Sequence, residues 1–170
     1  MIDRRHFILG TGASLLVPAL APEAFASTEQ FLSFFTGKIA GSGTLHDFKK
    51  GETKQVRASI AGRKSGDGLR LSQDFEFSDG RSERKVWTFV QRGGSIVGKR
   101  SDLRDPVNVA LSGNRASLAY TARTPVDGST YNLSFNEQIE FVSSDRVESV
   151  TSIKWTFLSV GEIRLSLRKI

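Results

Sequence analysis

The chain of 170 residues contains no cysteine, a single methionine, four prolines and two histidines. With no cysteine there can be no disulfide, no thiolate nucleophile and no cysteine-held metal, so packing alone must hold the fold. His6 lies in the leader described below, which leaves His46 as the one histidine of the remaining chain. Zinc or iron would therefore need carboxylate ligands, and no clustered acidic spacing provides them. The pattern G-x-S-x-G is absent, and only His46 or a lysine could serve as the base for a serine nucleophile. His46 and Asp47 are neighbours on a strand and point to opposite faces, so they are not a catalytic pair. The sequence thus assigns no catalytic residue, no metal and no cofactor. Whether the protein is an enzyme stays open, with the balance against it.

Long hydrophobic runs are also missing. The longest apolar stretch, Ile8 to Ala21, is diluted by Gly10, Gly12 and Ser14 and interrupted by Pro18. As a helix it would rise about 21 Å, short of the roughly 30 Å hydrocarbon core, which argues against a membrane anchor. It follows Arg4 and Arg5 and precedes Ala24-Phe25-Ala26, the small-x-small form that a signal peptidase accepts. The run RRHFI is similar to the twin-arginine export motif, with Asp3 where serine or threonine is usual. The expectation is a cleaved signal peptide over residues 1–26, with Arg4, Arg5, Ala24 and Ala26 as its signal residues. Residues 27–170 then form one domain in the periplasm, with no transmembrane segment after cleavage.

Basic residues outnumber acidic ones, 24 to 18, for a formal charge of +6. The excess favours anionic partners. Outside the cytoplasmic membrane nucleic acid is not an expected one, so weak contact with an anionic membrane surface or an acidic glycan remains, beside plain solubility. A monomer is expected.

What the chain does contain is alternation. After TEQFLSFF, where Thr28 can cap a short helix and Phe31, Phe34 and Phe35 fall at helical spacing, turn residues recur every eight to twelve positions. The helix reads as a lid or plug. Strands are expected over 37–48, 53–64, 68–77, 83–92, 95–103, 107–112, 115–124, 129–142, 147–159 and 162–169. Such a meander closes naturally, because an open sheet would leave two edges and an apolar face exposed. The fold class is therefore all-β: a single antiparallel up-and-down barrel of about eight to ten strands with a short N-terminal helix. Gly37, Gly41 and Gly43 resemble a phosphate loop only superficially, since no helix follows; in a barrel strand they permit sharp bending or close backbone approach.

The segments FTGKIAGSGTLHDFKKG, QDFEFSDGRSERKVW, GNRASLAYTARTP and KWTFLSVGEIRLSLRK, in that order, resemble a family of uncharacterised bacterial envelope proteins, many of them lipoproteins. The resemblance covers nearly all of the chain after the leader and implies lipocalin-like (calycin) architecture. Where the family often has F-D-D-W-M, this chain has Phe135-Asn136-Glu137-Gln138-Ile139. The lipid-bearing cysteine of the lipoprotein members is missing, which implies a protein free of a lipid anchor.

Two polar residues interrupt apolar strand faces. Glu137 alternates with Leu133, Phe135, Ile139 and Phe141, and Gln73 with Leu69, Leu71, Phe75 and Phe77. A lone carboxylate inside an apolar barrel costs several kcal/mol, on the order of a buried unpaired charge, unless paired or hydrated. Either Glu137 sits in a polar pocket or the strand has a bulge. The candidate ligand-binding set is Gln73, Phe75, Trp87, Tyr131, Phe135, Glu137 and Trp155, with the aromatics also readable as plain core. The expected occupant is a small apolar or amphipathic, lipid-like molecule. The alternatives are a non-catalytic accessory envelope protein with a filled barrel and, third, a hydrolase or isomerase housed in it.

Overall fold

A computed structural model describes residues 26–170. The proposed signal residues Arg4, Arg5 and Ala24 lie outside that range. Ala26 is its first residue, buried, with its amide donating to the carbonyl of Gly113.

One helix, α1 (Thr28–Phe34), precedes ten strands: β1 (Gly37–Asp47), β2 (Glu52–Ser65), β3 (Gly68–Phe77), β4 (Ser82–Arg92), β5 (Ser95–Lys99), β6 (Val107–Ser112), β7 (Arg115–Val126), β8 (Ser129–Phe141), β9 (Arg146–Trp155) and β10 (Leu158–Lys169). Each strand pairs antiparallel with its sequence neighbours, and β1 pairs with β10 from Ile39↔Lys169 to Asp47↔Gly161, closing the ring. The barrel is the expected one, at ten strands. Closure needs backbones to cross tightly at the seam, and there a Cβ on Gly41 or Gly43 would strike the carbonyl of Ser166 or Arg164.

Alternation sets the polarity of the wall. Val56, Ala58 and Ile60 of β2 and Leu69 and Leu71 of β3 are buried inward, while Arg57, Ser59 and Arg70 face out. Apolar inside and charged outside is the inverse of a membrane-spanning barrel. No helix among the described residues is long and apolar enough to cross a membrane.

α1 closes one end. Phe31, Phe34 and Phe35 are buried, with Phe31 edge-on to Phe89 and Phe34 edge-on to Phe141. Each phenylalanine fully withdrawn from water contributes about 1.5–3 kcal/mol, which exceeds what a seven-residue helix could supply by propensity. The cap is Ser27, whose hydroxyl accepts from the Gln30 amide; Thr28 instead donates to the Gly94 carbonyl at 3.0 Å and ties the helix to the β4–β5 turn. At Gly62 a Cβ would collide with the Phe35 carbonyl, so the missing side chain seats the plug.

Two boundaries differ from expectation. β9 and β10 meet at Trp155–Leu158, with Thr156 at φ 53, rather than at Val160-Gly161; Gly161 lies inside β10 beside a register shift between Ser159 and Gly161. β5 ends at Lys99, and the chain to Pro106 is a strap against β7, held by Arg123 N–H to Asp102 O at 2.8 Å and Arg104 N–H to Thr121 O at 3.1 Å.

Candidate functional site

The end opposite α1 is open and leads into a cavity of about 750 Å³. Its floor is Phe31 and Phe35 of the plug segment, and apolar residues such as Leu71, Ile139 and Leu165 make most of its wall. All seven candidate residues border it: Gln73, Phe75, Trp87, Phe135 and Glu137 inside, Tyr131 and Trp155 at the mouth, their rings 5.7 Å apart edge to face. Trp155 is 43% exposed, so it is a rim residue rather than a deep interior one.

Along one side runs a continuous aromatic wall. Phe31 meets Phe89, Phe89 stacks on Trp87 at 5.2 Å, Trp87 stands edge-on to Tyr120, and Tyr120 stacks on Phe135 at 5.2 Å. Strand alternation places them, since Leu71↔Trp87 and Tyr120↔Phe135 are directly paired and share the inner face.

A polar cluster is set into this wall. Trp87 donates its indole N–H to Oε1 of Gln73 at 3.1 Å, which leaves the amide nitrogen of Gln73 toward the cavity. The Arg100 guanidinium lies over the Trp87 ring at 4.6 Å and the Tyr120 ring at 5.1 Å, and grips Asp102 through two hydrogen bonds of 2.5 and 3.0 Å. Its side chain is only 6% exposed. Lys85 adds a second cation 3.6 Å from Asp102. Burial alone would push the Asp102 carboxyl up, but Arg100 and then Lys85 outweigh it and hold it below its ordinary value.

Glu137 has no such partner. β8 pairs with β7 and β9 without a register shift, so no bulge is present and the carboxylate points inward in a polar pocket. Ser149 donates to its Oε1 at 3.1 Å. Withdrawal from bulk water pushes its pKa up, and the Ser149 hydrogen bond and the Arg100 charge only partly oppose that. Burial, followed by the Glu137 charge, raises the Tyr120 hydroxyl well above its ordinary value. The enclosure therefore disfavours the charged form of Glu137 relative to a carboxyl in water.

Tyr120, Ser149 and Thr151 were not among the expected site residues. Alternation marks them all the same: Ala116, Leu118, Tyr120 and Ala122 share one face of β7, and Val147, Ser149, Thr151 and Ile153 one face of β9. Lys154 points outward and does not reach the carboxylate, whereas Arg100 faces inward without any bulge. The His46 ring is on the outer side of β1, with Nδ1 2.7 Å from Thr53 Oγ1.

A ten-stranded closed barrel with a helical plug and an apolar, singly open cavity defines a lipocalin-like protein. The sequence matches, over residues 19–169, the model of a family described as "Protein of unknown function (DUF3833)", and the chain belongs to that family. No curated protein matches it. Among solved structures it is similar to a protein of unknown function of the DUF3598 family from Nostoc punctiforme, at 13% identity and TM-score 0.59, over 82% of this chain and 49% of that one. The chain thus spans about half the length of that protein. It is also similar to an S-type phycobiliprotein lyase from Guillardia theta, at 12% identity and TM-score 0.53, over 85% of this chain and 94% of that one. At these identities the likeness is one of fold.

Proposed function

We propose that the protein is an exported binding protein that holds a small amphipathic, lipid-like molecule in its barrel. The observation that carries this reading is the pairing of a roughly 750 Å³ apolar cavity with one compact polar cluster at Gln73, Arg100 and Glu137. Cavities that accept small ligands combine these two traits: apolar walls for affinity and a few polar groups for orientation. The ligand's apolar body would lie on the aromatic wall, with a polar group hydrogen-bonded to Glu137 or to the Gln73 amide. The fold's occurrence in a phycobiliprotein lyase is compatible with an occupied barrel but names no ligand.

Export, cleavage after Ala26, a periplasmic location and a monomeric domain over 27–170 belong to the same proposal. They rest on Arg4, Arg5 and the Ala24-Phe25-Ala26 segment. A filled barrel, the alternative, would leave no such cavity. A hydrolase or isomerase would need a base in the barrel; His46 faces away from the interior, and in the proposed reading Glu137 orients a ligand instead.

Native mass spectrometry of protein purified from its own cell envelope, joined to titration with a soluble fluorescent fatty-acid analogue, tests the reading. A co-purifying mass or saturable probe binding displaced by a non-fluorescent fatty acid is expected. A bare chain that takes up no probe would sink it.

A further inference from the structure

The rim of the cavity is divided. Around the ring the β1–β2, β9–β10 and β7–β8 connections are successive neighbours at the open end. They carry six of the eight exposed large apolar side chains among the described residues, Phe48 at the first, Trp155, Phe157 and Leu158 at the second, Val126 and Tyr131 at the third, while Val142 and Ile170 lie at the plugged end. Phe157 is 84% exposed and Leu158 49%, at a two-residue hairpin tip where neither packs on the core. The Phe48 amide donates to the Val160 carbonyl at 3.1 Å, so the first two tips are joined, and Lys50 reaches Asp127 of the third at 3.5 Å. The other half of the rim is ionic. Asp79 of the β3–β4 turn holds Lys54 at 2.8 Å and Arg81 at 2.9 Å.

Formal charge on the arc is balanced, Lys49, Lys50 and Lys154 against Asp47, Glu52 and Asp127, but its carboxylates are engaged: Asp47 by the amides of Lys49 and Lys50, Glu52 by the Lys54 ammonium at 3.7 Å and Asp127 by the Lys50 ammonium. Lys49 and Lys154 have no carboxylate within 4.0 Å among the described residues, the first beside Phe48 and the second beside Trp155. Bulky apolar tips flanked by free lysines, with a tryptophan and a tyrosine at their base, are the chemistry of a surface that enters the interface of an anionic bilayer.

We propose that this arc docks on an anionic phospholipid surface, so that the cavity mouth opens directly onto lipid. The proposal extends the cavity reading, since a mouth pressed to a bilayer can exchange an amphipathic molecule without passing it through water. A membrane is a better fit than a second copy of the chain, because the same arc of a copy would bring no uncommitted carboxylate to meet Lys49 and Lys154, whereas lipid phosphates would.

Flotation of the purified protein with vesicles of phosphatidylcholine, with and without phosphatidylglycerol, tests it. Binding is expected with phosphatidylglycerol, and brominated lipid should quench wild-type fluorescence much more than that of Trp155→Phe. Phe48→Ser and Phe157→Ser should each weaken partitioning about tenfold, as expected for one phenylalanine withdrawn from the interface. Neither residue borders the cavity, so binding of the soluble fatty-acid probe without vesicles should be unchanged in both. No flotation with either vesicle, or flotation unaffected by the two serine variants, would overturn the docking surface. So would a dimer in sedimentation that Phe157→Ser abolishes. Probe uptake without flotation fails the docking and leaves the cavity reading intact; flotation without probe uptake does the reverse.

Discussion

Ser149 and Glu137 form the one hydrogen bond that the half-buried carboxylate receives, 3.1 Å from hydroxyl to Oε1 across two adjacent strands. A raised carboxyl pKa means that the folded chain keeps a proton which the unfolded chain releases above about 4.5, the ordinary glutamate value. The stabilisation is complete below that value and is lost as pH rises through the folded pKa. Urea midpoints of the wild type minus those of Glu137→Gln should therefore fall as pH increases from acid toward neutral. The difference isolates this group from Asp74, Asp79, Asp102 and Asp145, whose lowered pKa values act in the opposite sense at acid pH. A difference that is flat with pH would mean that Glu137 is hydrated like a surface carboxylate. The same variant should change affinity for the fatty-acid probe with little loss of fold.

The plug offers two substitutions. Phe31→Ala empties a site that is 1% exposed and should cost about 3–5 kcal/mol in chemical denaturation. Gly62→Ala sets a methyl against the Phe35 carbonyl and should cost about 1–3 kcal/mol as α1 shifts off the barrel end. Hydrogen exchange should locate the loosening of Gly62→Ala in α1 and β1 and leave β8 and β9 protected. Uniform loss of protection would count against a separately seated plug.

Arg100→Lys keeps the charge but loses the planar fork that both grips Asp102 and lies on Trp87 and Tyr120. The expected cost is about 1–3 kcal/mol, the range for a buried polar partner left short of hydrogen bonds. In a Trp155→Phe background the emission of Trp87 reports the site alone, and it should shift on the lysine change. Unchanged stability and emission would show that Asp102 finds Lys85 sufficient.

Replacing Arg4 and Arg5 together by lysine should leave precursor in the cytoplasm, because the twin-arginine route reads the guanidinium pair. Fractionation and immunoblotting decide it. Normal export of the double variant would indicate the general secretory route.

Strand alternation made most of the barrel legible in the sequence. It placed Glu137 and Gln73 on inner faces correctly, since a period of two holds through β3 and β8 without a slip. The β9–β10 hairpin was not legible. Its turn is built from Thr156 and Phe157, neither a customary turn residue, while Gly161 nearby mimics one. From the sequence Arg100 reaches Glu137 only through a bulge, and its partner Asp102 is not foreseen, for a different reason: their partnership lies in the irregular strap after β5, where no periodicity applies.

The pairing of β1 with β10 has a consequence for how the chain comes into being. Ile39 finds its partner Lys169 only when the tenth strand is present, so the contact that completes the ring is also among the most distant in sequence. Until then β1 offers a bare edge and the apolar wall has no enclosure, a state that invites pairing with other chains. The last dozen residues therefore act as the latch of synthesis: a ribosome stalled before β10, or a nick within it, yields an open, adhesive ribbon rather than a slightly weaker barrel.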